Sequence, residues 1–286
     1  MGDIIYVWPR DIDEAADFLA GHGSQTEIVA GGTDVMVDLR SGSLKAKYLL
    51  DVSRLSELKG IERIDGELHV GAGVTISEIE LSTILAQDAP ALQQCAFTFA
   101  SRQIRNAATI GGNVAHCSPC GDTVPPLVIH EAQVVLAGKG GRRRIPIESV
   151  AAGPYACSLP SDVLIVKFIL KPARVDFAAF RKIGRRRALA IARMSMAAML
   201  QKDDAGRISF MRLSLGACTP VPHRMEGVEE FLTGKRPTEK LLWEAGGLLA
   251  QSMIDITGRR SSTVYKEPAV KGLFLRMLHP VTKNEN

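Results

Sequence analysis

The stretch VAGGTDVMVDLR (29–40) places two glycines and a threonine hydroxyl between two apolar runs, both of which we predict to be buried strands. Further along the chain, AATIGGNVAHCSPCGD (107–122) repeats the pattern of a glycine pair beside a threonine. We call residues 28–35 the first glycine segment and residues 109–113 the second glycine segment. Two similar segments in one chain indicate one task shared between them.

Phosphate binding is one task that two glycine loops can share. A buried pyrophosphate needs many hydrogen-bond donors, and backbone N–H groups in a tight turn supply them where glycine lets the main chain approach closely. Neither segment fits G-x-G-x-x-G or G-x-x-x-x-G-K-[ST], so a Rossmann or P-loop site is not indicated. From the residues alone, a pair of phosphate loops and a pair of ordinary turns both remain open.

Length, composition and charge limit the classes of protein. The 286 residues are 46% hydrophobic, enough for a sizeable core and, as a prior, two domains. We find neither a membrane span nor a secretory signal and expect a cytoplasmic protein. The net charge of +4 comes from basic clusters at 141–144, 184–187 and 258–260. They lack interleaved aromatic residues for stacking bases, so we predict solvated loops or contacts with an acidic ligand or partner, and no nucleic-acid binding.

The five cysteines are an odd number without a secretion signal, which argues against a disulfide framework. Cys117 and Cys120 form a C-x-x-C pair. A zinc or iron–sulfur site needs about four ligands, and no second pair follows, so we predict no metal site and treat His116 and His130 as ordinary polar or core residues.

Hydrophobic periodicity predicts an α/β chain. Asp11 and Glu14 resemble a capping box for a helix that buries Ile12, Ala15, Ala16 and Leu19, and strands at TEIVAGG and AKYLLDVSRL complete a β-α-β-β unit. A turn at Asp65-Gly66 joins two more strands, a helix starts near 75–77, and VLIVKFIL (163–170) is a buried strand. Beyond a boundary near 172–176, strands are followed by helices in an α+β order.

The runs VAGGTD, RQIRNAATIGGNVAHCSPCGDTVPPL, AGPYACSLPSDVLIVKFIL and FRKIGRRRALAIARMSMAA carry a resemblance over nearly the whole chain. They resemble the FAD-binding (medium) subunit of the molybdenum hydroxylases, the family of xanthine dehydrogenase and aerobic carbon monoxide dehydrogenase. The resemblance implies an α+β fold: a vanillyl-alcohol-oxidase-type FAD-binding domain of two α/β subdomains at 1–173 (about 1–57 and 58–173), then a C-terminal α+β flavoprotein domain at 174–286.

The resemblance also implies cofactor contacts. Asp122 matches an acid that hydrogen-bonds the cofactor, Phe99 an aromatic near the flavin, and Leu164 a position beside the cofactor. Lys182 corresponds to a lysine near the isoalloxazine ring, where a cation would stabilise the negative charge that develops on reduction. Phe99 and Leu164 could equally be core residues, and Lys182 part of a solvated basic loop. The implied cofactor-binding residues are Ile28, Val29, Ala30, Gly31, Gly32, Thr33, Asp34, Val35, Phe99, Thr109, Ile110, Gly111, Gly112, Asn113, Asp122, Leu164 and Lys182.

Departures from the family's patterns narrow what the resemblance implies. AGGTD has no histidine for covalent attachment, so we expect noncovalent FAD. Thr33 and Asp34 stand where the carbon monoxide dehydrogenase branch commonly has histidine and serine, which favours the xanthine dehydrogenase-like branch. The cysteine-rich insertion of the hydroxybenzoyl-CoA reductase branch has no counterpart here, and we interpret Cys117 and Cys120 as small loop residues beside the cofactor.

The implied function is electron transfer. Electrons would pass from a molybdenum cofactor on a large subunit, through [2Fe–2S] clusters on a small subunit, to FAD on this chain and then to NAD⁺ or another acceptor, in a dimer of heterotrimers. No catalytic side chain is predicted in this chain. The alternatives are the medium subunit of aerobic carbon monoxide dehydrogenase, a self-contained FAD oxidase, and a cofactor-free scaffold.

Overall fold

The computed structural model describes residues 4–186 and 189–283. Arg187, the last residue of the second basic cluster, lies outside the described residues, as do the ends of the two predicted domains at 1–3 and 284–286. The strands are β1 (Ile5–Val7), β2 (Thr26–Val29), β3 (Tyr48–Asp51), β4 (Ile61–Ile64), β5 (Glu67–Gly71), β6 (Gln133–Gly138), β7 (Gly141–Pro146), β8 (Ala151–Gly153), β9 (Ala156–Cys157), β10 (Leu164–Leu170), β11 (Phe177–Gly184), β12 (Ala192–Lys202) and β13 (Ile208–Gly216). The helices are α1 (Ile12–His22), α2 (Val35–Ser41), α3 (Ile76–Leu81), α4 (Thr83–Asp88), α5 (Pro90–Phe97), α6 (Arg102–Ala107), α7 (Ile110–Ala115), α8 (Val124–Ile129), α9 (Glu226–Leu232), α10 (Glu239–Thr257) and α11 (Thr263–Leu278).

The first sheet is a small parallel sheet in the order β1-β3-β2. Helix α1 begins at the Asp11 cap, buries the predicted face and ends at Gly23, as the sequence indicates. The prediction of a strand at 35–40 is wrong, because these residues form α2 and the unit is β-α-β-α-β rather than β-α-β-β. Val35 and Leu39 are spaced one helical turn apart, and Gly42 in the left-handed conformation (φ 75°) ends the helix after Ser41.

The second sheet is antiparallel, in the order β4-β5-β10-β6-β7. The predicted turn at Asp65-Gly66 joins β4 to β5, and both residues have positive φ. Strand β10 is the central strand and is buried at six of its seven positions, which confirms the prediction from its apolar run. Helix α7, which carries the second glycine segment, packs against β10.

The third sheet, β11-β12-β13, is antiparallel; α9 and α11 contact its strands, and α10 packs against these two helices. Strand β12 is buried on both faces: Ala197 and Met199 join the core of the preceding residues, whereas Met196 and Ala198 join the core beneath the C-terminal helices. The predicted order of strands followed by helices is therefore confirmed. Strand β10 ends at Leu170 and β11 begins at Phe177, so the connection between these sheets contains the predicted boundary region.

Within the described residues, no helix is both long enough and apolar enough to cross a membrane.

Candidate functional site

The first glycine segment runs from the end of β2 to the start of α2. Gly32 adopts a positive φ of 67°, a conformation that glycine reaches without strain. The backbone N–H groups of residues 31–35 donate to no acceptor within residues 4–186 and 189–283. These groups are therefore a set of main-chain donors open to an external anion.

Gly31 lies directly against the chain that leads into the second glycine segment. A Cβ at this position would overlap the carbonyl oxygen of Ala107 and would lie 3.0 Å from the Cα of Ala108. Only glycine permits this approach, because the obstructing atoms are backbone and cannot rotate away. The two glycine segments, distant in sequence, are thus neighbours in space.

The second glycine segment is the first turn of α7 rather than the loop that the sequence predicted. The Thr109 side chain caps the helix by accepting from the N–H of Gly112 at 3.1 Å. The N–H groups of Ile110, Gly111 and Asn113 donate to the carbonyl oxygens of Val74, Ala72 and Thr109 respectively. The N–H groups of residues 110–113 are therefore already used, in contrast to those of the first segment.

The two glycines of the second segment have different surroundings. Gly111 is buried, and a Cβ there would lie 2.7 Å from the Cβ of Ala72. Gly112 is exposed, and a Cβ there would meet only the Oγ1 of Thr109, at 3.1 Å. Packing inside the protein explains the glycine at 111, whereas the glycine at 112 keeps an exposed surface free of a side chain.

Asn113 connects the second glycine segment to Asp122. Its Oδ1 accepts from both the backbone N–H and the hydroxyl of Thr123, at 3.3 and 2.7 Å. Thr123 is fully buried, which holds the neighbouring Asp122 beside the end of α7. The amide nitrogen of Asn113 is left as a donor.

Asp122 and Lys182 form a buried ion pair, with Nζ donating to Oδ2 at 2.5 Å and side chains only 6% and 7% exposed. Burial raises the pKa of Asp122 to about 6, against the opposing effect of the Lys182 charge. Oδ1 of the same carboxylate is buried and has no hydrogen-bond partner in the described part of the chain. A buried carboxylate oxygen normally has one, so this atom is available to a ligand donor.

Phe99 and Leu164 are positioned by the core. Phe99 is half-buried, packs against the core, and its carbonyl oxygen accepts from the guanidinium of Arg105 at 3.1 Å. Leu164 is 4% exposed and pairs with Ala137 in the second sheet. Contact of either side chain with a cofactor remains a prediction.

Sequence reasoning missed residues that position the site. Ala107 and Ala108 supply the backbone on which Gly31 rests. The two consecutive alanines before Thr109 are the sequence feature that indicates such a close approach. Gln94 joins α5 to β11, the strand that carries Lys182. Its side-chain nitrogen donates to the Ala178 carbonyl oxygen, and its side-chain oxygen accepts from the Phe180 N–H. No feature of the local sequence indicates that bridge.

Cys117 and Cys120 belong to no cluster of metal-ligating side chains in residues 4–186 and 189–283. Among the described residues, no group of three or more His, Cys, Asp or Glu side chains could hold a metal ion. His130 is buried with its Nδ1 at 3.2 Å from the Lys171 carbonyl oxygen, and burial lowers its pKa to about 4.

Comparison with known families agrees with this geometry. Residues 2–172 match the family described as the FAD binding domain in molybdopterin dehydrogenase, and residues 178–281 match the CO dehydrogenase flavoprotein C-terminal domain. This chain belongs to the family of FAD-binding subunits of the molybdenum hydroxylases. It is accordingly a subunit of an FAD-dependent oxidoreductase.

Individual relatives match this chain over most of its length and of their own. The chain is 32% identical over 220 residues to the xanthine dehydrogenase FAD-binding subunit of Escherichia coli O157:H7, covering 76% of this chain and 75% of that one. It is 28% identical over 282 residues to the nicotinate dehydrogenase FAD-subunit of Eubacterium barkeri, covering 97% and 95%. Among solved structures, carbon monoxide dehydrogenase from Hydrogenophaga pseudoflava superposes with a TM-score of 0.89 at 26% identity, covering 96% of each chain.

The residues present fit FAD. The open N–H groups of the first glycine segment suit a pyrophosphate, Gly112 keeps an exposed surface free of a side chain, and the free Asp122 oxygen suits a hydroxyl or N–H donor.

Proposed function

We propose that this FAD-binding subunit holds FAD noncovalently across the two glycine segments and passes electrons from a molybdenum cofactor to an acceptor. The cofactor-binding residues named in the sequence analysis are the proposed contacts. The domain division at 1–173 and 174–286 and a cytoplasmic location belong to the same proposal.

One observation carries this proposal. Gly31 rests on the backbone of Ala107 and Ala108, which brings the open donors of the first segment beside the second. A dinucleotide phosphate lying along the contact would receive main-chain N–H donors from residues 31–35 and the Asn113 amide beside them.

The chain's own residues would bind and tune the cofactor. FAD, when bound, accepts electrons and hands them to the next carrier. Asp122 would accept a hydrogen bond at Oδ1 while Lys182 holds its other oxygen. The Lys182 side chain lies within the site, and a charge buried there acts more strongly than it would in water. No acid–base side chain of this subunit is required.

We propose a xanthine dehydrogenase-like complex as the setting, with a large molybdenum-cofactor subunit and a small [2Fe–2S] subunit in a dimer of heterotrimers, and NAD⁺ or another acceptor. The likeness to the Escherichia coli subunit supports it. A carbon monoxide dehydrogenase medium subunit is the second candidate, supported by the structural likeness to the Hydrogenophaga enzyme.

Flavin binding is tested on the purified chain. Titration with FAD is expected to give one flavin per chain, and acid precipitation is expected to release all of it into the supernatant. Flavin that stays with the precipitate would show covalent attachment. No flavin bands after incubation with excess FAD would show a scaffold.

The electron-transfer role is tested on the complex recovered through a tag on this chain from its source cells. Molybdenum and iron are expected in the complex, with xanthine-dependent reduction of NAD⁺. Dependence on carbon monoxide instead would favour the second candidate, and substrate turnover by this chain alone would show a self-contained oxidase.

A further inference from the structure

Cys117 and the chain next to Cys157 meet at one backbone oxygen. The Cys117 thiol donates to the Val150 carbonyl oxygen at 3.8 Å, and the same oxygen accepts from the N–H of Ser158, the residue after Cys157. The pKa of each of these two thiols is shifted chiefly by a hydrogen bond to the other. The pKa of Cys120 is instead raised chiefly by burial. The pair that matters for thiol chemistry is therefore one that sequence spacing does not indicate.

A short hairpin, β8–β9, brings Cys157 to this position. Its tip is anchored to the two residues after α7, because the N–H of Tyr155 donates to the Cys117 carbonyl oxygen at 2.8 Å and the Tyr155 ring meets the His116 ring edge-on at 5.4 Å. Its base is held at the Val150 carbonyl oxygen, which accepts from the Ser158 N–H at 2.8 Å and the Cys117 thiol at 3.8 Å.

The two thiols differ in accessibility and in acidity. Cys157 is exposed, whereas Cys117 is buried. The hydrogen bond from Cys117 lowers the pKa of Cys157 to about 6, and the same bond raises the pKa of Cys117. This is the arrangement of an attacking thiolate beside a resolving thiol, because the thiolate is the reactive form.

We propose that Cys117 and Cys157 form a reversible disulfide, a redox modification site that ties the β8–β9 hairpin to the end of α7. The oxidant is a small-molecule disulfide of the glutathione type. The proposal is independent of the proposed function, because Cys117 follows the C-terminal end of α7 whereas the glycines lie in its first turn.

The exchange proceeds in two steps. The Cys157 thiolate attacks one sulfur of the small disulfide, forming a mixed disulfide and releasing one small thiolate. Cys117 then loses its proton to that thiolate and attacks the Cys157 sulfur, which expels the second small thiolate, protonated from solvent with the proton that Cys157 had lost. Two protein thiols are oxidised and one disulfide is reduced to two thiols. Once Cys157 is in the mixed disulfide, its negative charge no longer opposes deprotonation of Cys117.

The full chain is tested by incubation with oxidised glutathione, alkylation of the remaining thiols, and non-reducing peptide mass mapping. We expect a Cys117–Cys157 link that dithiothreitol reverses, retained in Cys120→Ser and lost in Cys157→Ser. The Cys120→Ser control is needed because Cys117 and Cys120 share a tryptic peptide. A link between Cys117 and Cys120, or a mixed disulfide at Cys157 that never resolves, would overturn the proposal.

The acidity of Cys157 is tested by its alkylation rate with iodoacetamide at pH 7. Cys157 is expected to react about tenfold faster than Cys120, and Cys117→Ala, which removes the donor, is expected to slow it by about the same factor. Circular dichroism checks that Cys117→Ala is folded; Cys157→Ser, at an exposed position, tests the link independently. Equal rates at Cys157 and Cys120 in the wild-type chain would contradict the assignment.

Discussion

Lys182 donates to Asp122 across 60 positions of sequence, from a strand of the third sheet to the segment that follows the second glycine segment. Both side chains are almost completely buried, and burial raises the pKa of Asp122 in spite of the neighbouring ammonium. The loss of hydration thus outweighs the attraction within this pair, which is typical of buried ion pairs. Such a pair contributes position and charge to a site more than it contributes stability.

Breaking one side of the pair should destabilise the apo protein strongly. Asp122→Ala leaves the Lys182 ammonium buried without a partner, and we expect it to lower the free energy of unfolding by about 3–5 kcal/mol. The double variant Asp122→Leu, Lys182→Met removes both charges and should lie within about 1 kcal/mol of the wild type. Urea unfolding of the three proteins measures this, and a double variant as unstable as the single would contradict it.

The protonation of Asp122 should appear in the pH dependence of stability. Its folded-state pKa of about 6 exceeds the ordinary 3.8, so the folded protein binds the proton more tightly than the unfolded chain does. This group therefore lowers the free energy of unfolding as pH rises from about 4 to about 6. Lys182→Met should raise the pKa of Asp122 further, because the lysine charge lowers it. Carboxyl ¹³C NMR titration measures both values, with Asp122→Asn identifying the resonance.

Gly112→Val should remove FAD binding while leaving the fold intact. The new side chain enters an exposed space where only the Thr109 hydroxyl is near, so its methyl groups lie where the ligand is proposed to sit. We expect at least about a hundredfold weaker FAD binding, equivalent to about 2.7 kcal/mol, with a far-UV spectrum like that of the wild type. Stoichiometric flavin in this variant would place the ligand elsewhere.

Gly31→Ala should instead damage the fold. Its Cβ would overlap the backbone of Ala107, so one of the two glycine segments must shift, and we expect a loss of about 1–3 kcal/mol even without FAD. Gly21→Ala is the matched control, because that helical position has open space and alanine there should stabilise by about 0.5–1 kcal/mol. Thermal unfolding of both variants gives the comparison.

Glu131 should hold the third sheet against the rest of the protein. It accepts from Arg212 at 2.6 Å and from Arg224 at 2.6 Å, both from the C-terminal part of the chain. We expect Glu131→Ala to cost about 1–2 kcal/mol in chemical unfolding, since two half-buried guanidinium groups lose a partner. Glu226→Ala is the control: this largely exposed side chain lies 3.9 Å from Arg224, and its removal should have little effect.

Local patterns predicted most of the elements. The helix after Asp11, the turn at Asp65-Gly66 and the central strand at 164–170 all follow from short-range signals that the structure confirms. The prediction at 35–40 was wrong because a run of three apolar residues fits either a strand or a helix. The helix forms here because Gly42 caps its end, and none of its residues is buried as a core strand would be. The second glycine segment became a helical turn because Thr109 caps it and residues 72–74 accept its N–H groups.

By itself, the sequence determined the fold class, the family and the two glycine segments. Hydrophobic periodicity, helix caps and glycine pairs all depend on residues that are close together in the sequence. Only the tertiary structure decided that Gly31 rests on Ala107, that Asp122 and Lys182 share one buried bond, and that Cys117 contacts the hairpin that carries Cys157. The physical reason is that these relationships depend on how three sheets pack together. Packing sets distances between residues whose separation along the chain carries no information about them.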